Sequence, residues 1–207
     1  MLYRSALLLL LTFFLIVPIT NLAQSADKLP PIKVTEYKLD NGLRVIFHQD
    51  RSTPVVAVNV WYHVGSKNEA AGKTGFAHLF EHMMFQGSRN YDTDYFPPLQ
   101  EAGGSINGTT NQDRTYYYET VPSNFLELAL FLEADRMGGL LEAMTQEKLD
   151  NQRDVVKNER RQRVDNQPYG TAFEKIGEIM FPKGHPYNWT TIGSLAARLT
   201  VLPGFDL

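Results

Sequence analysis

The chain has 207 residues, 43% of them apolar, enough for one sizeable domain and hardly for two. A formal net charge of −3 and the lack of any basic block exclude a nucleic-acid surface; the run from Lys157 to Arg163 holds Glu159 within it and reads as a solvated helix face. There is no Cys, which excludes disulfide support and lipid attachment through a thiol.

Residues 1–25 read as a signal peptide. Arg4 supplies the positive start, Ala6 to Val17 the apolar run, and Ala23 and Ser25 the small residues before a cleavage site. The apolar run is short for a membrane span. Cleavage after Ser25 is expected, releasing an exported, periplasmic chain from Ala26 with no stable membrane span; an uncleaved anchor is the alternative. Residues 26–207 form the domain that remains.

Residues 26–33 are a polar lead-in. Val34 to Leu39 and Leu43 to Phe47 read as strands joined at Asp40-Asn41-Gly42, a hairpin signal. Pro54 starts a third strand, Val55 to His63. Gly65 to Gly75 is a loop. Thr74 is the expected cap of a helix on which Phe76, Leu79, Phe80, Met83 and Met84 recur at helical spacing, ending at Gly87 and Ser88. Asp94 to Glu101 is a short helix, Ser105 to Thr110 a polar extended segment, and Thr115 to Val121 a strand. After Pro122, the residues Phe125, Leu128, Ala129, Leu132 and Met137 set a 3.6-residue period. Helices over Thr145 to Asp165 and Thr171 to Met180 follow. This order predicts an α+β fold, with a mixed, largely antiparallel sheet packed against helices.

The chemistry lies in His78-Leu79-Phe80-Glu81-His82. Positions i and i+4 share a helix face, with i+3 beside them. Two neutral imidazoles so placed can hold Zn²⁺, and a carboxylate beside them can take a proton from an activated water. The order H-x-x-E-H is the inverzincin signature. A structural role for an exposed or core His pair is the competing reading.

Zinc needs a third protein ligand. On the helix over 145–165 the stripe Leu149, Gln152, Val155, Val156, Glu159 points inward, so Glu159 falls where apolar residues fall. A buried carboxylate needs a metal or an Arg partner, and Arg136, Arg153 and Arg163 are all candidates for the latter.

At this point the chain resembles the pitrilysin/insulysin (M16, inverzincin) family of zinc metallopeptidases, which includes the mitochondrial processing peptidases. That family places a Glu ligand about seventy-six residues after the second His; here 76 residues separate His82 from Glu159. Val64 to Glu69, Gly75 to Gly87, Gly103 to Gly108 and Asp113 to Tyr116 are similar to its core blocks, and the likeness runs from about Val34 to Gly193. The resemblance implies a metallopeptidase α/β domain in which His78, His82 and Glu159 ligate Zn²⁺ and Glu81 is the general base. It implies that the strand with Ser105, Ile106, Asn107, Gly108 and Thr109 receives a peptide as an added β-strand.

Two departures qualify it. Gln152 stands where many active members carry a second Glu; an amide can hydrogen-bond a ligand but adds no charge. Family members also use two clam-like halves of two such domains each. The chain matches one domain, which implies a C-terminal truncation, or that the remaining domains or a partner subunit complete it. The isolated chain is then expected to be weak or inactive. The expected function is an exported zinc endopeptidase domain acting on peptides or unfolded proteins; the alternative is a silent peptide-binding or scaffold subunit.

Gly72-Lys73-Thr74 lacks the spacing of a phosphate loop, and His48, His63 and His185 show no ligand spacing. Asn107-Gly-Thr and Asn188-Trp-Thr match glycosylation sequons, which are uninformative if the source is bacterial.

Overall fold

The computed structural model describes residues 31–70 and 73–194. The expected signal segment, Gly72 and the C-terminal stretch from 195 lie outside them. The chain divides into two units, residues 1–53 and 54–207.

In the first unit, β1 (Val34–Lys38) and β2 (Arg44–His48) form an antiparallel hairpin, with Val34 opposite His48 and Lys38 opposite Arg44. Gly42 turns at φ 92°, a left-handed conformation that a Cβ disfavours, as the Asn-Gly signal predicts. Arg44 Nε meets Glu36 Oε1 at 2.5 Å across the strands. The pair is exposed and worth little.

In the second unit, β3 (Val55–Tyr62), β4 (Ser105–Thr110) and β5 (Thr115–Pro122) form an antiparallel sheet in the order β3-β5-β4. The α+β expectation holds. Thr115, Tyr117, Glu119 and Val121 of β5 are buried on one face, while Tyr116, Tyr118 and Thr120 alternate to the other. Ile106, Tyr117 and Val121 join Tyr95, Leu99, Ala129 and Leu132 in the main core.

Among the described residues there are five α-helices, in chain order α1 (Phe76–Met83), α2 (Phe96–Glu101), α3 (Leu126–Ala143), α4 (Gln146–Arg160) and α5 (Ala172–Met180). α3 packs on β3 and β5, whereas α1 packs on both α4 and β4. The α1–α4 seam is apolar: Leu79, Met83 and Val156 are buried together against Met144 and Leu149. Each such side chain contributes roughly 1.5–3 kcal/mol. No helix among the described residues is long and apolar enough to cross a membrane.

Two helix expectations shift in detail. On α3 the inward positions are Ala129, Leu132, Glu133 and Arg136; Met137, one step beyond Arg136, turns outward and is 44% exposed. The inward face therefore carries an ion pair, Glu133 with Arg136, where an apolar stripe was expected. On α4, Gln152 and Val156 are buried, but Val155 lies off that line and is exposed. The helix expected to reach Asp165 is α-helical to Arg160 and continues as a π-helical turn, Arg161–Asp165. Such turns recur at functional sites.

The cap of α1 also differs. Gly75 is the N-cap at φ 95°, and its side-chain partner comes from outside the helix: Glu69 accepts from Gly75 N (3.1 Å) and Ala77 N (2.8 Å). Thr74 instead accepts weakly from Ser194 N at 3.4 Å. A negative charge at a helix start satisfies orphan donors and the dipole together. Glu69→Ala should therefore cost about 1–2 kcal/mol. Urea unfolding of the chain checks this, and an unchanged midpoint would refute the capping role.

Candidate metal centre

The apolar seam sets the site. Leu79 and Met83 hold α1 against Val156 of α4, which turns the polar edge of α1 toward Glu159. His78 and His82, one turn apart, have ring centroids 4.8 Å apart and planes at 87°. Glu159 Oε2 lies 3.5 Å from His78 Nε2 and 3.3 Å from His82 Nε2. All three ligand atoms fall within 4.8 Å of one another. Four ligands at ~2.0–2.1 Å around tetrahedral zinc stand roughly 3.3 Å apart. The donor set and its spacing therefore fit zinc. The side chains are shielded, with 12%, 23% and 15% exposure for His78, His82 and Glu159.

Glu81 stands on the same helix and lines the same cleft. Burial pushes its carboxyl above the ordinary range, opposed by a hydrogen bond with Thr110 and by the charge of His82. Glu159 is held below the ordinary range, chiefly by its hydrogen bond with His82 and against the effect of burial. The two carboxyls lining the cleft are thus driven in opposite directions.

The cleft has a volume of about 780 Å³. α1 and α4 make one side, and Asn107, Gly108, Thr109 and Thr110 of β4 the other. β4 pairs only with β5 among the described strands. Asn111 N donates to Arg114 O, so in this register Thr109, Asn107 and Ser105 also turn their main-chain groups to β5. Ile106, Gly108 and Thr110 then direct theirs to the free edge. Gly108 has a packing reason as well, since a Cβ there would lie 3.1 Å from the Phe85 and Tyr117 rings.

Of the residues expected from sequence, His78, Glu81, His82, Gln152 and Glu159 come together, along with Asn107, Gly108 and Thr109. Ser105 and Ile106 do not line the cleft; the Ile106 side chain belongs to the core. Sequence reading missed Phe96, Asn158 and Gln162, which face the cleft without any motif to mark them; Thr110 lies on the strand expected to take the peptide, and Phe85 within the Gly75 to Gly87 block. Of the three Arg candidates for Glu159, Arg163 is the one that meets it. Arg163 Nη1 meets Oε1 at 2.6 Å while Oε2 faces the imidazoles. Arg153 pairs with Asp150, and Arg136 with Glu133 in the core.

Comparison with known proteins gives a concordant result. Residues 44–191 match the family model described as Insulinase (Peptidase family M16). A zinc protease, PqqE, of Helicobacter pylori is 36% identical over 157 residues, covering 75% of this chain and 35% of its own length. A probable mitochondrial-processing peptidase subunit beta of Arabidopsis thaliana is 32% identical over 131 residues, 63% of this chain and 24% of its own. The chain thus spans about a third or less of those relatives. Among solved structures, a protease from Helicobacter pylori superposes with a TM-score of 0.77 at 33% identity, over 84% of this chain and 41% of that one. Pitrilysin, with a TM-score of 0.71 at 24% identity over 80% of this chain and 18% of its own, shares the fold.

Proposed function

The chain belongs to the insulinase peptidases, family M16, and on that premise we propose that it is the metal-bearing domain of an exported zinc endopeptidase. The carrying observation is the meeting of His78, His82 and Glu159 within ligand distance, with Glu81 beside them in a cleft walled by an open strand edge. Bound zinc supplies a Lewis acid that polarises a carbonyl and lowers the pKa of water. His78, His82 and Glu159 would hold it. Glu81 accepts the proton of the attacking water and passes it to the leaving amine. The outward main-chain groups of Ile106, Gly108 and Thr110 pair with a peptide laid along β4, fixing its scissile bond beside Glu81. Gln86, Asn107 and Thr109 border that track. The substrate is a peptide or an unfolded segment, since only an extended chain can add to a strand edge. The remaining domains of the family, or a partner subunit, close over it. Export to the periplasm rests on the apolar N-terminal segment and its small residues at 23 and 25.

A second reading has one observation behind it. Gln152 is buried in the cleft as a neutral amide, which favours a subunit that binds peptides without cleaving them.

Metal content tests the assignment. Purified protein should carry about one zinc per chain, and His82→Ala should lose most of it. Full stoichiometry in that variant would end the assignment.

A further inference from the structure

Arg163 is the cleft residue whose charge the reaction does not use. Of the described residues lining the cleft it is the one Lys or Arg; the others with formal charge are Glu81 and Glu159. It sits in the π-helical turn just beyond Glu159. Its side chain is 75% exposed, and its short contact is Nη1 to Glu159 Oε1 at 2.6 Å. A guanidinium carries five N–H donors in a planar fork and binds a carboxylate best with two of them. Zinc would draw on the charge of the same Glu159 carboxylate and change the cleft from net negative to net positive, which favours an anion there. The open edge of β4 lies across the cleft, so an extended peptide on it would run past this cation.

We infer that Arg163 is a specificity-determining residue, receiving an acidic side chain of the bound peptide near the metal. The inference rests on the zinc-peptidase reading and adds a substrate class to it: peptides with Asp or Glu close to the scissile bond. The remaining cleft surface near it, Asn158 and Gln162, is uncharged and offers no competing preference.

The test reads binding, not turnover. The chain carrying Glu81→Gln, joined to the further domains its relatives carry, is loaded with zinc and titrated with fluorescent peptides that differ only by Asp or Asn at one position, scanned along the peptide. At one position the Asp peptide should bind about three- to tenfold tighter, the range between an exposed ion pair and a charge-assisted bidentate one. Arg163→Gln should bring the two within twofold, Arg163→Lys should restore part of the gap, and Arg163→Glu should favour a Lys peptide. The inference is overturned if no position prefers Asp, or if the preference survives Arg163→Gln. Zinc analysis of each variant separates the failures. Both peptides bound equally well at full zinc content sink the inference alone. No zinc, or no peptide binding at full zinc content, sinks the peptidase reading along with it. Loss of zinc in Arg163→Gln would assign the guanidinium to holding Glu159 instead.

Discussion

Glu81→Gln is expected to leave zinc at about one per chain and to lower peptide hydrolysis by ~10²–10⁴-fold, the usual contribution of a positioned general base. The two halves of this result come from different atoms. The metal would be held by His78, His82 and Glu159, whose donors already converge without Glu81. The proton would be moved by Glu81 alone, and an amide of the same shape cannot accept it. The substitution removes a carboxylate that burial already disfavours as an anion, so the fold should tolerate it. Activity must be measured on the chain joined to the further domains its relatives carry, because this chain spans only 35% of the Helicobacter pylori zinc protease. Lost enclosure of the peptide can alone remove several kcal/mol of barrier lowering. Zinc analysis and single-turnover peptide cleavage, done side by side, decide the matter. Equal cleavage by the variant would remove Glu81 from the mechanism. A wild type that binds zinc and peptide yet never cleaves would favour the silent subunit.

What sequence made legible follows from how local each signal is. The His pair and Glu81 lie within one helical turn and a half, so spacing alone put them on a common edge. Glu159 is remote in sequence, but its place among apolar positions of α4 marked it, and the α1–α4 seam through Val156 explains why it arrives opposite the imidazoles. The strands appear within a residue or two of their expected bounds because Asn-Gly and Pro punctuate them. Long-range complements were not legible. Nothing near Thr74 announces that Glu69, folded back from the preceding loop, caps α1. Nothing in the run Glu159 to Arg163 distinguishes a π-helical turn from continued α-helix, although the i,i+4 spacing already made Arg163 a candidate partner for Glu159. The ion pair inside α3 was hidden because only the apolar residues Phe125, Leu128, Ala129, Leu132 and Met137 set the period, while Glu133 and Arg136 bury one another.

That buried pair leads to the second large effect. Glu119 should lower wild-type stability by about 3 kcal/mol as pH rises from about 4.5 to about 7, and Glu119→Gln should remove that contribution. Glu119 lies on the helix-facing side of β5 at 1% exposure, and neither of its oxygens has a hydrogen-bond partner. The cation acting on it is Arg136, but that guanidinium is engaged by Glu133 and lies 4.1 Å from the Tyr117 ring centroid. Ionising Glu119 would leave a second buried carboxylate facing one shared Arg. Burial accordingly pushes its carboxyl from 4.5 up to about 7, with Arg136 offsetting only part. The sign follows from proton uptake. Between the two values the folded state keeps the proton and the unfolded chain releases it, so unfolding is favoured progressively as pH rises. Below about 4.5 the contribution is fully present, and above about 7 it is fully lost; the gap converts to about 3 kcal/mol at 1.36 kcal/mol per unit. Other carboxyls raised by burial, Glu69 among them, tilt the curve the same way. The difference between wild type and Glu119→Gln isolates this one. Urea unfolding of both proteins in chelator, at pH 5, 6, 7 and 8, should give curves that diverge with pH, the variant gaining relative to wild type at the alkaline end. Parallel curves would mean that Glu119 is ionised in the folded core throughout and that Arg136 compensates it fully.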